Sequence, residues 1–157
     1  MREQPNGEGC RRHRVKASQP VMTADVGTAR AVLIVDDDED IRIAIHAILE
    51  DEGYGVLEAP DGLAALDMLR SAPHPLVVLT NHNMPRLDGP GLISFVLEDP
   101  VLRSRHAYIY MTAASRVISP AFARQLDALH VPVLRKPFDL DRLVALIGEA
   151  SARLAER

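Results

Sequence analysis

The sequence predicts an α/β domain in which one parallel β-sheet is covered by helices on both faces. Short continuous apolar runs, typical of strands buried on both sides, alternate with segments whose apolar residues recur at the spacing of an amphipathic helix. This strand–helix pair is repeated five times after residue 30. Repeated alternation of this kind forms a parallel sheet. With 157 residues, of which 47% are hydrophobic, the chain suffices for one such domain.

Each predicted element has its own apolar pattern. The first strand covers residues 31–35, and the helix after it carries Ile41, Ile45 and Leu49 before Gly53. Four further strands are predicted over residues 54–58, 76–79, 107–111 and 131–134. The helices that follow them carry, in order, Leu63, Leu66 and Leu69; Leu92, Ile93 and Val96; Phe122, Leu126 and Leu129; and Leu140, Leu143 and Ile147.

Prolines and capping residues mark several helix boundaries. Pro73 follows the second helix, and the third is predicted to close at Asp99-Pro100. Ser119 and Pro120 predict an N-cap with proline in the first helical position, and Asp139 caps the last helix.

The handedness of the connections and the size of the domain narrow the topology. Right-handed crossovers favour a flavodoxin-like, doubly wound (βα)5 fold with strand order 2-1-3-4-5. In such sheets the ligand site lies beyond the carboxyl ends of the strands. The residues that directly follow each strand are therefore the candidates for function.

The charge distribution divides the chain into a tail and a domain. Residues 1–30 hold six basic and three acidic residues without an apolar period, which predicts a disordered basic tail. The remaining residues, 31–157, form the predicted domain and hold 12 basic and 19 acidic residues. This acidic balance argues against nucleic acid as a partner.

Other function classes are excluded by simple features. No apolar run approaches the ~18 residues of a membrane helix, and no apolar stretch follows the basic cluster at Arg11 as a signal peptide requires. The one cysteine, Cys10, allows no disulfide within the chain and no cysteine-based zinc cluster. We therefore expect a cytoplasmic protein.

The residues at the strand ends suggest phosphoryl chemistry. Asp36 and Asp37 follow the first strand, Thr112 the fourth and Lys136 the fifth. A transferring phosphoryl group needs a metal and a cation on its oxygens, and a hydroxyl donor beside them. An acidic cap of the next helix would explain Asp38 to Asp40 but explains Asp36 and Asp37 less well.

Four motifs in this order resemble the response-regulator receiver family of two-component, phosphorelay signalling. They are Leu33-Ile34-Val35-Asp36-Asp37, Met84-Pro85-Arg86-Leu87-Asp88-Gly89, Met111-Thr112-Ala113 and Lys136-Pro137-Phe138. The resemblance covers about residues 31–155. It implies that Asp36 and Asp37 hold Mg²⁺, that Thr112 is the switch hydroxyl and that Lys136 binds phosphate. Asn83 lies where the family supplies a backbone carbonyl to the metal.

Two positions depart from the pattern of the family. The phospho-acceptor aspartate of the family lies three residues before the methionine of Met-Pro, and Asn81 occupies that place. An amide is a poor nucleophile, so an acyl phosphate is not expected, and any Mg²⁺ site should be weak or absent. Val133 stands where the family has an aromatic switch residue, three before Lys136.

The leading hypothesis is an atypical, stand-alone receiver that is not an enzyme and acts through protein–protein contact. Its expected partners are a histidine kinase, another response regulator or an effector. No DNA-binding domain is expected after Arg157, so the chain by itself would not be a transcription factor.

Two other functions remain open at this point. In the first, the protein still transfers phosphate, either through a surrogate such as Thr80 or His82 or after deamidation of Asn81. In the second, it is a hydrolase with Asp36 as nucleophile and Asp38 as acid/base partner. The hydrolase hypothesis leaves the Met84–Gly89 and Lys136–Phe138 motifs unexplained.

Overall fold

The computed structural model describes residues 30–157 and confirms the predicted α/β architecture. Its strands are β1 (Ala31–Val35), β2 (Gly55–Ala59), β3 (Val77–Asn81), β4 (Ala107–Ala113) and β5 (Val133–Lys136). Its helices are α1 (Glu39–Asp51), α2 (Gly62–Ser71), α3 (Gly89–Glu98), α4 (Pro100–Arg105), α5 (Pro120–Ala128) and α6 (Leu140–Ala155). Apart from Arg30, the predicted basic tail lies outside the described residues.

The five strands form one parallel sheet in the order β2-β1-β3-β4-β5, as predicted. The hydrophobic core lies on both of its faces. Successive residues of β1, such as Leu33 and Ile34, point to opposite sides and belong to two separate apolar clusters. One cluster is built with α2, α3 and α5, and the other with α1 and α6. Both faces of the central strands are therefore buried, which explains their continuous apolar runs.

The helices begin at residues whose side chains accept hydrogen bonds from free backbone N–H groups. Asp38, Asp61, Asp88, Asp99, Ser119 and Asp139 each cap the helix that follows. Both predicted caps, Ser119 with Pro120 and Asp139, are confirmed. None of the helices between residues 30 and 157 is long and apolar enough to cross a membrane.

The structure corrects several predicted boundaries. Asp99-Pro100 ends α3 but also begins the additional helix α4, because Asp99 accepts from the N–H groups of Val101 and Leu102 and Pro100 takes the first helical position. The strands β3, β4 and β5 each end two residues later than predicted, and β5 also begins two residues later, so that Asn81 and Lys136 are strand residues paired with β4. Both side chains are therefore held at the carboxyl edge by the sheet itself.

Candidate functional site

Asp36 is the buried acidic residue of the site. It directly follows β1, and none of its surface is exposed. Its Oδ1 accepts from the N–H of Asp38 at 3.0 Å, and its Oδ2 lies 3.3 Å from the Lys136 ammonium. Burial raises the pKa of the Asp36 carboxyl, although the Asp38 N–H and Lys136 oppose this effect. The carboxylate therefore depends on Lys136 for its main neutralising partner.

Asn81, the last residue of β3, lies between this ion pair and the following loop. Its Nδ2 donates to the backbone oxygen of Asn83 at 3.0 Å and to Asp36 Oδ1 at 3.4 Å. Its Oδ1 accepts from the Lys136 ammonium at 2.9 Å. These partners fix the orientation of the amide. If the amide were turned over, its NH₂ group would face the Lys136 ammonium, and its oxygen would face the oxygens of Asp36 and Asn83.

Thr112 completes the set at the end of β4. The residue is fully buried, and its hydroxyl has no hydrogen-bond partner among the described residues. A buried hydroxyl without a partner costs free energy, so such groups are few and often serve a ligand or a switch.

The structure therefore brings Asp36, Asn81 and Lys136 into direct contact, with the backbone oxygen of Asn83 beside them. Asp37 is exposed next to Asp36, and the side chain of Asn83 is also exposed. The roles that the sequence suggested for these residues, and for Thr112, remain proposals.

The loop between β3 and α3 is held against α2. Asp61, the N-cap of α2, accepts from Arg86 Nη2 at 2.6 Å, and the N–H of Gly62 donates to Leu87 O at 3.0 Å. Burial would raise the pKa of Asp61, but the N–H of Ala64 and the Arg86 guanidinium outweigh it and hold that pKa below its usual range. Two contacts with the N-terminus of α2 therefore hold the loop that carries Asn83.

Two arginines near the site were not identified from the sequence. Arg42 of α1 donates to the backbone oxygen of Asp36 at 2.7 Å and to Glu58 of β2 at 3.2 Å. Arg116, in the loop after β4, lies with its Nη2 3.4 Å from Asn83 Oδ1. The Arg42–Glu58 and Arg116–Asn83 contacts join residues 16 and 33 positions apart, so no local pattern signals them.

An aromatic residue lies next to the position where the family has its switch aromatic. Tyr110 of β4 is in register with Val133 of β5, is fully buried and is hydrogen-bonded to His82. Its ring packs edge-on against Phe122 of α5, with the ring centroids 5.1 Å apart. Contacts therefore connect His82, which follows Asn81, through Tyr110 to Phe122 of α5, although position 133 holds a valine and not an aromatic residue.

Comparisons with known proteins agree with this fold. A family profile described as the response regulator receiver domain matches residues 32–148. The sporulation initiation phosphotransferase F of Bacillus subtilis is 33% identical over 112 residues, covering 71% of this chain and 86% of its own. A probable chemotaxis protein CheY of Rhizobium etli is 33% identical over 117 residues, covering 74% and 88%. The sensor kinase CckA of Brucella abortus is 32% identical, but this chain spans only 13% of it.

The solved structures agree as well. The CheY-like receiver domain protein from Methanospirillum hungatei JF-1 superposes with a TM-score of 0.70 at 28% identity, covering 81% of this chain and 98% of that one. The fold and the strand-end residues define a signalling module of the flavodoxin-like class. The chain belongs to the response regulator receiver domain family of two-component signalling.

Proposed function

We propose that this receiver signals through protein–protein contact and does not form an aspartyl phosphate. The observation that carries the proposal is Asn81 at the phospho-acceptor position, hydrogen-bonded to Lys136 through its only acceptor oxygen. An amide oxygen lacks the charge and nucleophilicity of a carboxylate. The lysine that would neutralise a phosphoryl group is instead shared between Asn81 and Asp36.

The other residues that the family resemblance assigns to phosphoryl binding are present, which supports the loss of the acceptor alone. Asp36 and Lys136 are in contact, and the buried hydroxyl of Thr112 has no partner among the described residues. The Lys136 ammonium and the Thr112 hydroxyl can donate to phosphoryl oxygens, whereas the Asp36 carboxylate would act on them only through a cation. The substitution Asn81→Asp should therefore restore a phospho-acceptor, because the residues around position 81 can still stabilise a phosphoryl group.

The test is intact-protein mass spectrometry after incubation with acetyl phosphate and Mg²⁺. We expect no adduct on the wild type and one phosphate, about 80 Da, on Asn81→Asp. Asn81→Ala is the matched control, since it removes the amide without supplying a carboxylate. A phosphate adduct on the wild type, mapped to Thr80 or His82, would contradict the proposal. Failure of Asn81→Asp to react would show that Asp36, Thr112 and Lys136 no longer support phosphorylation.

Receiver domains interact with histidine kinases and other signalling proteins. For this chain we propose a histidine kinase, another response regulator or an effector as the partner. The interaction should be the same before and after treatment with phosphodonor, because the wild type offers no site for the donor.

Three features argue against the alternative functions. Thr80 is fully buried and its hydroxyl donates to the backbone oxygen of Asn81, so a phosphodonor would not reach it without a rearrangement. Asp36 is buried and paired with Lys136, which leaves it a poor nucleophile, and Asp38 Oδ1 accepts from two backbone N–H groups as the N-cap of α1, which accounts for this residue without a hydrolase. Deamidation of Asn81 is disfavoured, because His82 rather than glycine follows it.

A further inference from the structure

The oxygens that would hold a divalent cation are already hydrogen-bonded. The resemblance to the family implies a Mg²⁺ site made of Asp36, Asp37 and the backbone oxygen of Asn83. In the structure the Asn81 NH₂ group donates to two of these oxygens, Asp36 Oδ1 and Asn83 O. A cation would have to bind the same oxygens, so the amide and the cation compete for them. As arranged, these residues do not fit a bound metal.

The number of acceptors on Asn81 decides this competition. An aspartate has two carboxylate oxygens and can direct one to a cation and the other to Lys136. Asparagine has a single acceptor oxygen, and Lys136 holds it at 2.9 Å. Rotating the amide toward a metal would bring its NH₂ group against the Lys136 ammonium, donor against donor.

The local charges also leave little for a cation to neutralise. Asp36 is paired with Lys136 at 3.3 Å, and Asn81 adds no charge. Asp37, the remaining member of the acid pair, is exposed to solvent, where water screens its charge. Mg²⁺ affinity in proteins depends on the charge and number of hard oxygen ligands, and both are reduced here.

We propose that the Asn81 amide takes the place of the divalent cation, so that this edge of the sheet keeps its arrangement without metal and does not respond to Mg²⁺. The inference rests on the proposed function, because it assigns a structural task to the residue that replaces the phospho-acceptor. It adds that the module is independent of Mg²⁺ as well as of phosphate.

The first test is thermal unfolding of the full chain in EDTA and in millimolar MgCl₂, with NaCl added to match ionic strength. We expect the wild-type midpoint to be the same in both buffers. Asn81→Asp should unfold at a lower temperature than the wild type in EDTA, because it adds a carboxylate beside Asp36, and should gain several degrees with Mg²⁺. Asn81→Ala should be less stable than the wild type in EDTA, because Asp36 and Asn83 lose their donor.

Opposite results overturn the inference. A rise in the wild-type midpoint with Mg²⁺ equal to that of Asn81→Asp would show that the amide does not exclude the cation. An Asn81→Ala variant as stable as the wild type would show that the amide bonds contribute nothing. A wild type that gains stability from Mg²⁺ yet forms no phosphate adduct defeats this inference alone, whereas an adduct on the wild type defeats the proposed function.

A second measurement needs no variant to fold. In ¹H–¹⁵N correlation spectra of the wild type, the side-chain NH₂ signals of Asn81 should stay unchanged when MgCl₂ is added. A saturable shift of those signals in the millimolar range would contradict the inference. If Asn81→Asp folds, titration calorimetry should give it a Mg²⁺ affinity on the order of tenfold or more above that of the wild type, because the site gains a full negative charge.

Discussion

At the scale of single residues, asparagine and aspartate differ at position 81 by one acceptor and one charge. The sequence identified Asn81 and the residues around it, because they follow strands and stand in recognisable motifs. It could not show that the amide bonds to Asp36, Asn83 and Lys136 at once. Those contacts depend on how three separate strand ends meet, and side-chain orientation is not encoded in local patterns.

A glycine beside Asn81 gives a prediction at the same scale. A Cβ at Gly89 would lie 2.4 Å from the backbone oxygen of Asn81 and 3.0 Å from the Tyr110 ring. Because backbone rather than a flexible side chain blocks the space, Gly89→Ala should destabilise the domain by about 1–3 kcal/mol. Urea unfolding measures this loss directly.

Gly148 provides the matched control. It lies within α6, and an added Cβ would meet only the Tyr54 hydroxyl oxygen, at 3.9 Å. Gly148→Ala should therefore stabilise the domain by roughly 0.5–1 kcal/mol, because alanine loses less conformational freedom in a helix. Equal destabilisation by the two substitutions would contradict the packing argument at Gly89.

At the scale of elements, apolar runs located all five strands, whereas polar strand ends and a short helix were missed. Asn81 and Lys136 join the sheet through backbone pairing with Met111 and Ala113, which side-chain polarity does not reveal. The helix α4 was missed because Asp99-Pro100 can end one helix and begin another. The apolar pattern therefore fixes where an element lies better than where it stops.

A buried histidine joins three of these elements. His106, just before β4, accepts from the Leu76 N–H at 3.1 Å through Nδ1 and donates through Nε2 to the Leu69 carbonyl at 3.2 Å. This pattern requires the neutral ring with its proton on Nε2. Burial lowers the pKa of His106 to about 4, since the charged ring would have to leave water.

The lowered pKa of His106 predicts how stability depends on pH. The unfolded chain, with a histidine pKa near 6.5, binds the proton more readily than the folded chain. The stabilisation is thus complete above about pH 6.5 and is lost as the pH falls towards 4, by roughly 3 kcal/mol at most. In urea unfolding at several pH values, His106→Gln should flatten this slope. An unchanged slope in His106→Gln would assign the pH dependence to other groups.

At the scale of the whole molecule, the sheet gathers distant residues at one edge. The order of the strands sets β1 and β4 on either side of β3, so Asp36 and Thr112 end on the two sides of Asn81. The sequence predicted this convergence from topology alone. The Arg42–Glu58, Arg116–Asn83 and His82–Tyr110 contacts could not be predicted, because each joins segments that only the folded chain brings together.

The most direct test of phosphate-independent signalling is the backbone ¹H–¹⁵N spectrum of the wild type before and after addition of acetyl phosphate with Mg²⁺. We expect no change along β4, the loop that carries Arg116, or α5, because in our proposals the Asn81 amide cannot take up a phosphoryl group and occupies the oxygens that a metal would bind. Asn81→Asp, treated identically, should show shifts that spread from residue 81 to these elements. Matching donor-dependent shifts in the wild type would contradict the account.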